Sequence, residues 1–165
     1  MKKIIFIIGC LIVGFSIYKK NDEIIIPNDA IRVRIIANSN NVEDIRDKIR
    51  IKDEIKKDLY HIVSDADNSA NARKSIISNI NKIKKIVSLK TDNFTINYGK
   101  NYFPKKVYRG IIYNEGMYDS LTITLGKGLG ENWWCVLYPP LCLIKENNIT
   151  SDVEYRSFVY DLLKN

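Results

Sequence analysis

The chain has 165 residues, 45% hydrophobic and 27% charged, which suits one globular domain with its own core and excludes a disordered or fibrous chain. Its net charge of +7 is concentrated early: without Lys2, Lys3, Lys19 and Lys20, 22 basic residues face 19 acidic ones. That balance, with no basic stripe interleaved with aromatics, argues against a nucleic-acid partner.

Lys2 and Lys3 open a positive start, Ile4 to Tyr18 carries no charge, and Lys19-Lys20 closes the run. As a helix such a run would span roughly 22 Å, short of a ~30 Å hydrocarbon core. Residues 1–20 therefore read as a signal peptide or an N-terminal membrane anchor. Cys10 reads as an apolar residue within that run. Residues 21–28 read as a linker, and residues 29–165 as a single domain.

Ile31 to Ile36 alternates apolar and basic residues, which predicts a half-buried strand. Ser39 or Asn40 is placed to cap a helix, with Glu43 completing a capping box from Asn40. Val42, Ile45, Ile49, Ile55, Leu59 and Ile62 predict an amphipathic helix over 41–63. A polar break at 64–70 precedes a second predicted helix, roughly 70–88, with a basic outer face. Beyond Lys90 the period becomes two. Strands are expected at 94–98, 106–113, 121–125 and 133–138, with a turn at 114–116 and a closing helix at 152–163. The order predicts an α+β, two-layer fold: a strand and two helices, then an antiparallel meander and a C-terminal helix.

The most informative stretch runs from Gly126 to Cys142. Gly126, Gly128 and Gly130 alternate, but no Lys-Ser/Thr follows, and the next residues are bulky and aromatic; a phosphate cradle is disfavoured. The glycines read instead as a turn between strands, or as a mobile loop that docks on a partner. Trp133 and Trp134 are adjacent, so in a strand they point to opposite faces. An outward tryptophan beside a glycine loop would make a binding anchor. Gly126, Gly128, Gly130, Asn132, Trp133 and Trp134 are the candidate partner-binding residues. Cys135 and Cys142 in an exported chain suggest a disulfide, with Pro139-Pro140 bending the chain between them. A contrasting reading is a secreted hydrolase using Cys135, with His61 as base, or a carboxylate. No metal-ligand spacing, cofactor motif or small-molecule site is evident.

Asn132 to Cys142, together with Leu125 to Gly130, closely resembles the hallmark of the stage II sporulation protein R family. Ile31 to Ser39 resembles that family's first motif, and Tyr102 to Tyr108 its third. The resemblance implies an exported, non-enzymatic signal of endospore formation. It implies passage across the forespore membrane into the intermembrane space. There the protein would be released, or tethered by its N-terminal segment. Its implied partner is the membrane-embedded aspartic protease of the mother cell, which processes the early mother-cell sigma-factor precursor. No cofactor and no catalytic residues follow from it.

Overall fold

The computed structural model describes residues 24–109, 111–141 and Leu163. The targeting segment, Cys10, Cys142 and, apart from Leu163, the expected closing helix lie outside the described residues. Among the described residues no helix is long and apolar enough to cross a membrane.

The organising strand is β2 (Ile31–Ile36), reached after a short strand β1 (Ile24–Ile25). Three helices follow: α1 (Val42–Val63), α2 (Ser69–Ser78) and α3 (Ile80–Ser88). Then come β3 (Phe94–Phe103), β4 (Lys106–Tyr108), β5 (Ile111–Tyr113), β6 (Gly116–Leu125) and β7 (Asn132–Tyr138). The α+β class holds, but the strands do not form a simple meander. The main sheet has the order β3-β6-β2-β7, with β2 parallel to β6 and antiparallel to β7. β2 is thus inserted between two strands that are consecutive in sequence.

Alternation along β2 gives the main sheet two unlike faces. Ile31, Val33 and Ile35 join Leu121, Ile123 and Leu125 of β6 on one face. Against them pack Ile51, Ile55 and Leu59 of α1, Ala72 and Ile76 of α2, and Ile83 and Val87 of α3. A small second sheet, ordered β1-β5-β4, serves the other face. Ile24, Ile26, Ala30, Ile111 and Tyr113 form a separate cluster there with Val136 and Leu141, and Leu163 packs against it. This adds a partial third layer to the expected two. Ile24 and Ile26, read from sequence as the end of a linker, are part of that layer.

Local details differ from the sequence reading. The α1 cap is Asn41, whose Oδ1 accepts from the Asp44 N–H at 2.8 Å. The core stripe of α1 runs Lys48, Ile51, Ile55, Leu59, Ile62, while Val42 and Ile49 are exposed. The expected second helix is divided at Asn79, whose backbone (φ −99°, ψ 7°) ends α2 and begins α3. The expected strand 106–113 is divided into β4 and β5, and Arg109 between them has φ 49°.

Ile55 is fully buried beneath the main sheet. Ile55→Ala is expected to cost about 2–5 kcal/mol through lost burial and a residual cavity. Urea unfolding monitored by circular dichroism checks this; a loss under about 1 kcal/mol would contradict the packing.

Candidate functional site

With β2 between them, β6 and β7 cannot be joined by a tight hairpin. The Gly126–Glu131 connection instead passes over the C-terminal end of β2, against Ala37, Asn38, Ser39 and Asn40. The amide of Gly126 donates to Asn93 O at 2.8 Å, that of Gly128 to Leu125 O at 3.0 Å, and that of Leu129 to Asn38 O at 3.0 Å. The Gly130 amide donates to Ala37 O at 2.9 Å. Lys127 N–H donates to Asn38 Oδ1 at 2.9 Å and Glu131 N–H to Asn40 Oδ1 at 2.6 Å. Every amide from Gly126 to Glu131 is therefore spent on a protein acceptor, leaving none for a phosphate. From below, the buried Lys48 ammonium donates to Glu131 O at 2.9 Å.

The glycines are needed for contact. A Cβ on Gly130 would stand 2.2 Å from the Ser39 carbonyl oxygen, a backbone atom that cannot step aside. Gly126 has φ 53°, and its Cβ would meet Asn38 Oδ1 at 2.2 Å. The connection is a clamped strap rather than a mobile loop. Lys127, Leu129 and Glu131 are its exposed points, with Leu129 74% exposed. Beside the strap, Asn38, Asp44, Asp47, Thr91, Asn93, Leu125 and Gly126 line a cleft of about 140 Å³. Its two carboxylates make it a poor anion site.

Past the strap, β7 places the two tryptophans on opposite faces. Trp133 packs against the helix-side core and Trp134 against the second cluster. Both are half-buried, whereas Asn132 is exposed. Cys135 lies on the helix side with Trp133 and does not present a free thiol. His61 sits exposed in the last turn of α1, its ring edge-on to Tyr60 at 5.8 Å. No hydrogen bond or ring contact brings His61 to Cys135.

The Trp134 side of β2 holds the group that sequence reading missed. Arg32 is fully buried, and its Nε, Nη1 and Nη2 make no hydrogen bond. Four rings box its guanidinium: Tyr118 at 4.4 Å, Phe103 at 4.6 Å, Trp134 at 4.9 Å and Tyr113 at 5.7 Å from Cζ to centroid. Cation–π attraction, worth about 2 kcal/mol or more when desolvated, replaces hydrogen bonding in part. Arg34 lies over the same Phe103 ring at 4.2 Å and donates Nη2 to Tyr102 O at 2.6 Å. Lys106 Nζ stands 5.2 Å from the Trp134 ring. Burial depresses the Arg32 pKa, with repulsion from Arg34 a lesser cause, and burial depresses that of Arg34. The alternation Ile-Arg-Val-Arg was the available signal, but it reads equally as a solvated face.

The strap, the end of β2, β7 and the Phe103–Tyr108 stretch thus meet around one strand. These are the segments through which the sequence resembles a known family. The comparison with family models decides the matter: residues 27–148 match the model for stage II sporulation protein R. The chain belongs to that family. The stage II sporulation protein R of Bacillus subtilis (strain 168) is 37% identical over 135 residues, covering 78% of this chain. The matched region spans 60% of that relative's length. No solved structure matches the chain. Family membership makes this a sporulation protein, and the family's motif segments here are one structural unit.

The strap's two kinds of position separate in stability. Gly130→Ala is expected to destabilise the fold by about 1–3 kcal/mol or more, since backbone must shift. Leu129→Ala should stay within about 0.5 kcal/mol, as exposed substitutions do. Paired urea unfolding curves check both; equal effects would contradict the clamp.

Proposed function

We propose that this protein is an exported signal of endospore formation. It crosses the forespore membrane into the intermembrane space, using residues 1–20 as a signal peptide or anchor. There residues 29–165 act as one signalling domain on the membrane-embedded aspartic protease of the mother cell. That protease then processes the early mother-cell sigma-factor precursor. The observation that carries this reading is the family match over residues 27–148. A ligand of this kind needs a rigid presenting face rather than a nucleophile, and the strap with its three obligatory glycines supports that role.

In this reading Asn132 and Trp134 contact the partner, flanked by the strap of Gly126, Gly128 and Gly130. Trp133 holds β7 to the helix layer. Cys135 is bridged to Cys142, a reading supported by the absence of a free thiol at Cys135. The bridge would tie the end of β7 to the chain beyond Pro140.

Reconstitution of precursor cleavage in cells carrying the mother-cell protease tests the function. Cleavage is expected only when the exported protein is present, and Trp134→Ala should abolish it at normal protein levels. Cleavage that proceeds without this protein would refute the reading. For the bridge, a maleimide should leave Cys135 unmodified in the native, unreduced protein and label it after reduction. Labelling before reduction would refute it.

A further inference from the structure

The register of the main sheet sets out its second face as three rows. The first is Asn132–Ile36–Thr124–Thr95, the second Trp134–Arg34–Thr122–Asn97, and the third Val136–Arg32–Ser120–Gly99. The small sheet roofs the third row: Val136 belongs to its cluster, and Arg32 and Ser120 are fully buried. The other two rows lead out to solvent, with Asn132, Thr95 and Asn97 exposed. Arg34 therefore stands on the border between the roofed and open halves of the face.

Polar groups left without partners cluster at that border. They are Nε, Nη1 and Nη2 of Arg32, Nε of Arg34, and Oγ1 of Thr122, which is the register neighbour of Arg34. Two guanidinium groups share the Phe103 ring, and neither forms an ion pair among the described residues. The open rows contain no acidic residue. Native proteins satisfy nearly all buried polar groups, so several orphans at one place call for an explanation. Like charges held together in a half-dry site, at the mouth of an acid-free face, lack an anion.

We propose that this face receives a carboxylate side chain of an acidic protein partner, with Arg34 as its direct ligand. Arg34 has the geometry for it: only Nη2 is used, on Tyr102 O, and the planar fork suits a carboxylate. Thr122, whose Oγ1 is buried without a partner, stands beside it in register. Arg32, its Cζ 4.6 Å from the centre of the same Phe103 ring, acts as a second fixed charge. A protein partner is favoured over a lipid surface because the Arg34 guanidinium lies over the Phe103 ring and Arg34 is the register neighbour of Trp134. Trp134 and Phe103 there suit the desolvated centre of a protein interface. The proposal deepens the signalling reading by giving that partner its chemistry, and its test needs no sporulating cell.

The purified full chain is titrated with a hexaglutamate peptide while the Trp134 indole N–H is followed by NMR. Inorganic phosphate and phosphatidylglycerol vesicles are the comparison arms. Saturable binding of hexaglutamate is expected, at least tenfold weaker in Arg34→Gln and partly retained in Arg34→Lys. Arg32→Met should also weaken binding severalfold, yet leave the melting temperature unchanged or raised, because an unpaired buried charge has gone. Undiminished binding in Arg34→Gln, or equal affinity for phosphate or vesicles, would overturn the proposal. A large fall in melting temperature for Arg32→Met with binding intact would show Arg32 to be structural and overturn its part. If hexaglutamate binds as expected but Arg34→Gln still supports precursor cleavage, the site stands and its link to signalling falls.

Discussion

The rest of the structure depends on one topological constraint: β2 lies between β6 and β7. Adjacent strands stand about 4.8 Å apart, so the β6–β7 connection must span roughly twice that across the end of the intervening strand. It must do so backbone against backbone, because Ala37 to Asn40 leave β2 there and begin the approach to α1. Gly130 touching the Ser39 carbonyl and Gly126 touching Asn38 are the local expression of that crossing. Asn38 and Asn40 accept the strap's amides, and Lys48 reaches from α1 to the Glu131 carbonyl. One helix, one strand end and one loop are thereby locked together at the end of the sheet where α1 begins.

The same insertion decides the environment of β2's side chains. A strand flanked on both edges and covered on one face by helices still has a second face to dispose of. Here the small sheet covers only part of it. Ile31, Val33 and Ile35 gain ordinary burial, worth about 1.5–3 kcal/mol each. Arg32 gains rings rather than acceptors, and removing an ion from water costs several kcal/mol before any compensation. The four-ring box offsets part of that cost. No acid contributes, since the ion pairs near the main sheet, Arg73 and Lys100 with Asp119, involve a residue of the opposite parity on β6.

Periodicity made the elements legible and left their arrangement open. The helix over Val42–Val63 and the strands at Phe94, Leu121 and Trp133 follow from spacing alone. The opposite facing of Trp133 and Trp134 follows from strand geometry. What spacing does not encode is the neighbour of a strand, so β2 pairing with β6 and β7 lay beyond it. The division at Asn79 was also hidden, because no proline or glycine marks it, whereas Gly110 beside Arg109 was an available sign of the β4–β5 turn. The alternating glycines showed that a side chain was unwelcome, yet not whether the reason was freedom or contact. Arg32 was illegible for a related reason: a strand pattern records which residues face together, not whether water is there. The family resemblance supplied a role but no contact, and geometry showed that its separate motifs are one unit.

These features bear on one another. The strap fixes the start of β7, and the start of β7 fixes where Asn132 and Trp134 stand relative to Arg34. Trp134 in turn is one wall of the Arg32 box, and Lys106 of the small sheet lies against its ring. A shift of β7 by one residue would exchange Trp134 for Trp133 or Cys135, since register slips move side chains to the other face. The box would then open and Arg32 would lose a wall. The obligatory glycines and the unpaired arginine, remote in sequence, are therefore parts of one device. The first holds the geometry that keeps the second dry. A fold optimised for stability alone would fill the Arg32 position with an apolar side chain. Retaining a charge there, with its nitrogens unsatisfied, leaves the four rings as its compensation within the fold and adds a fixed positive charge next to Arg34.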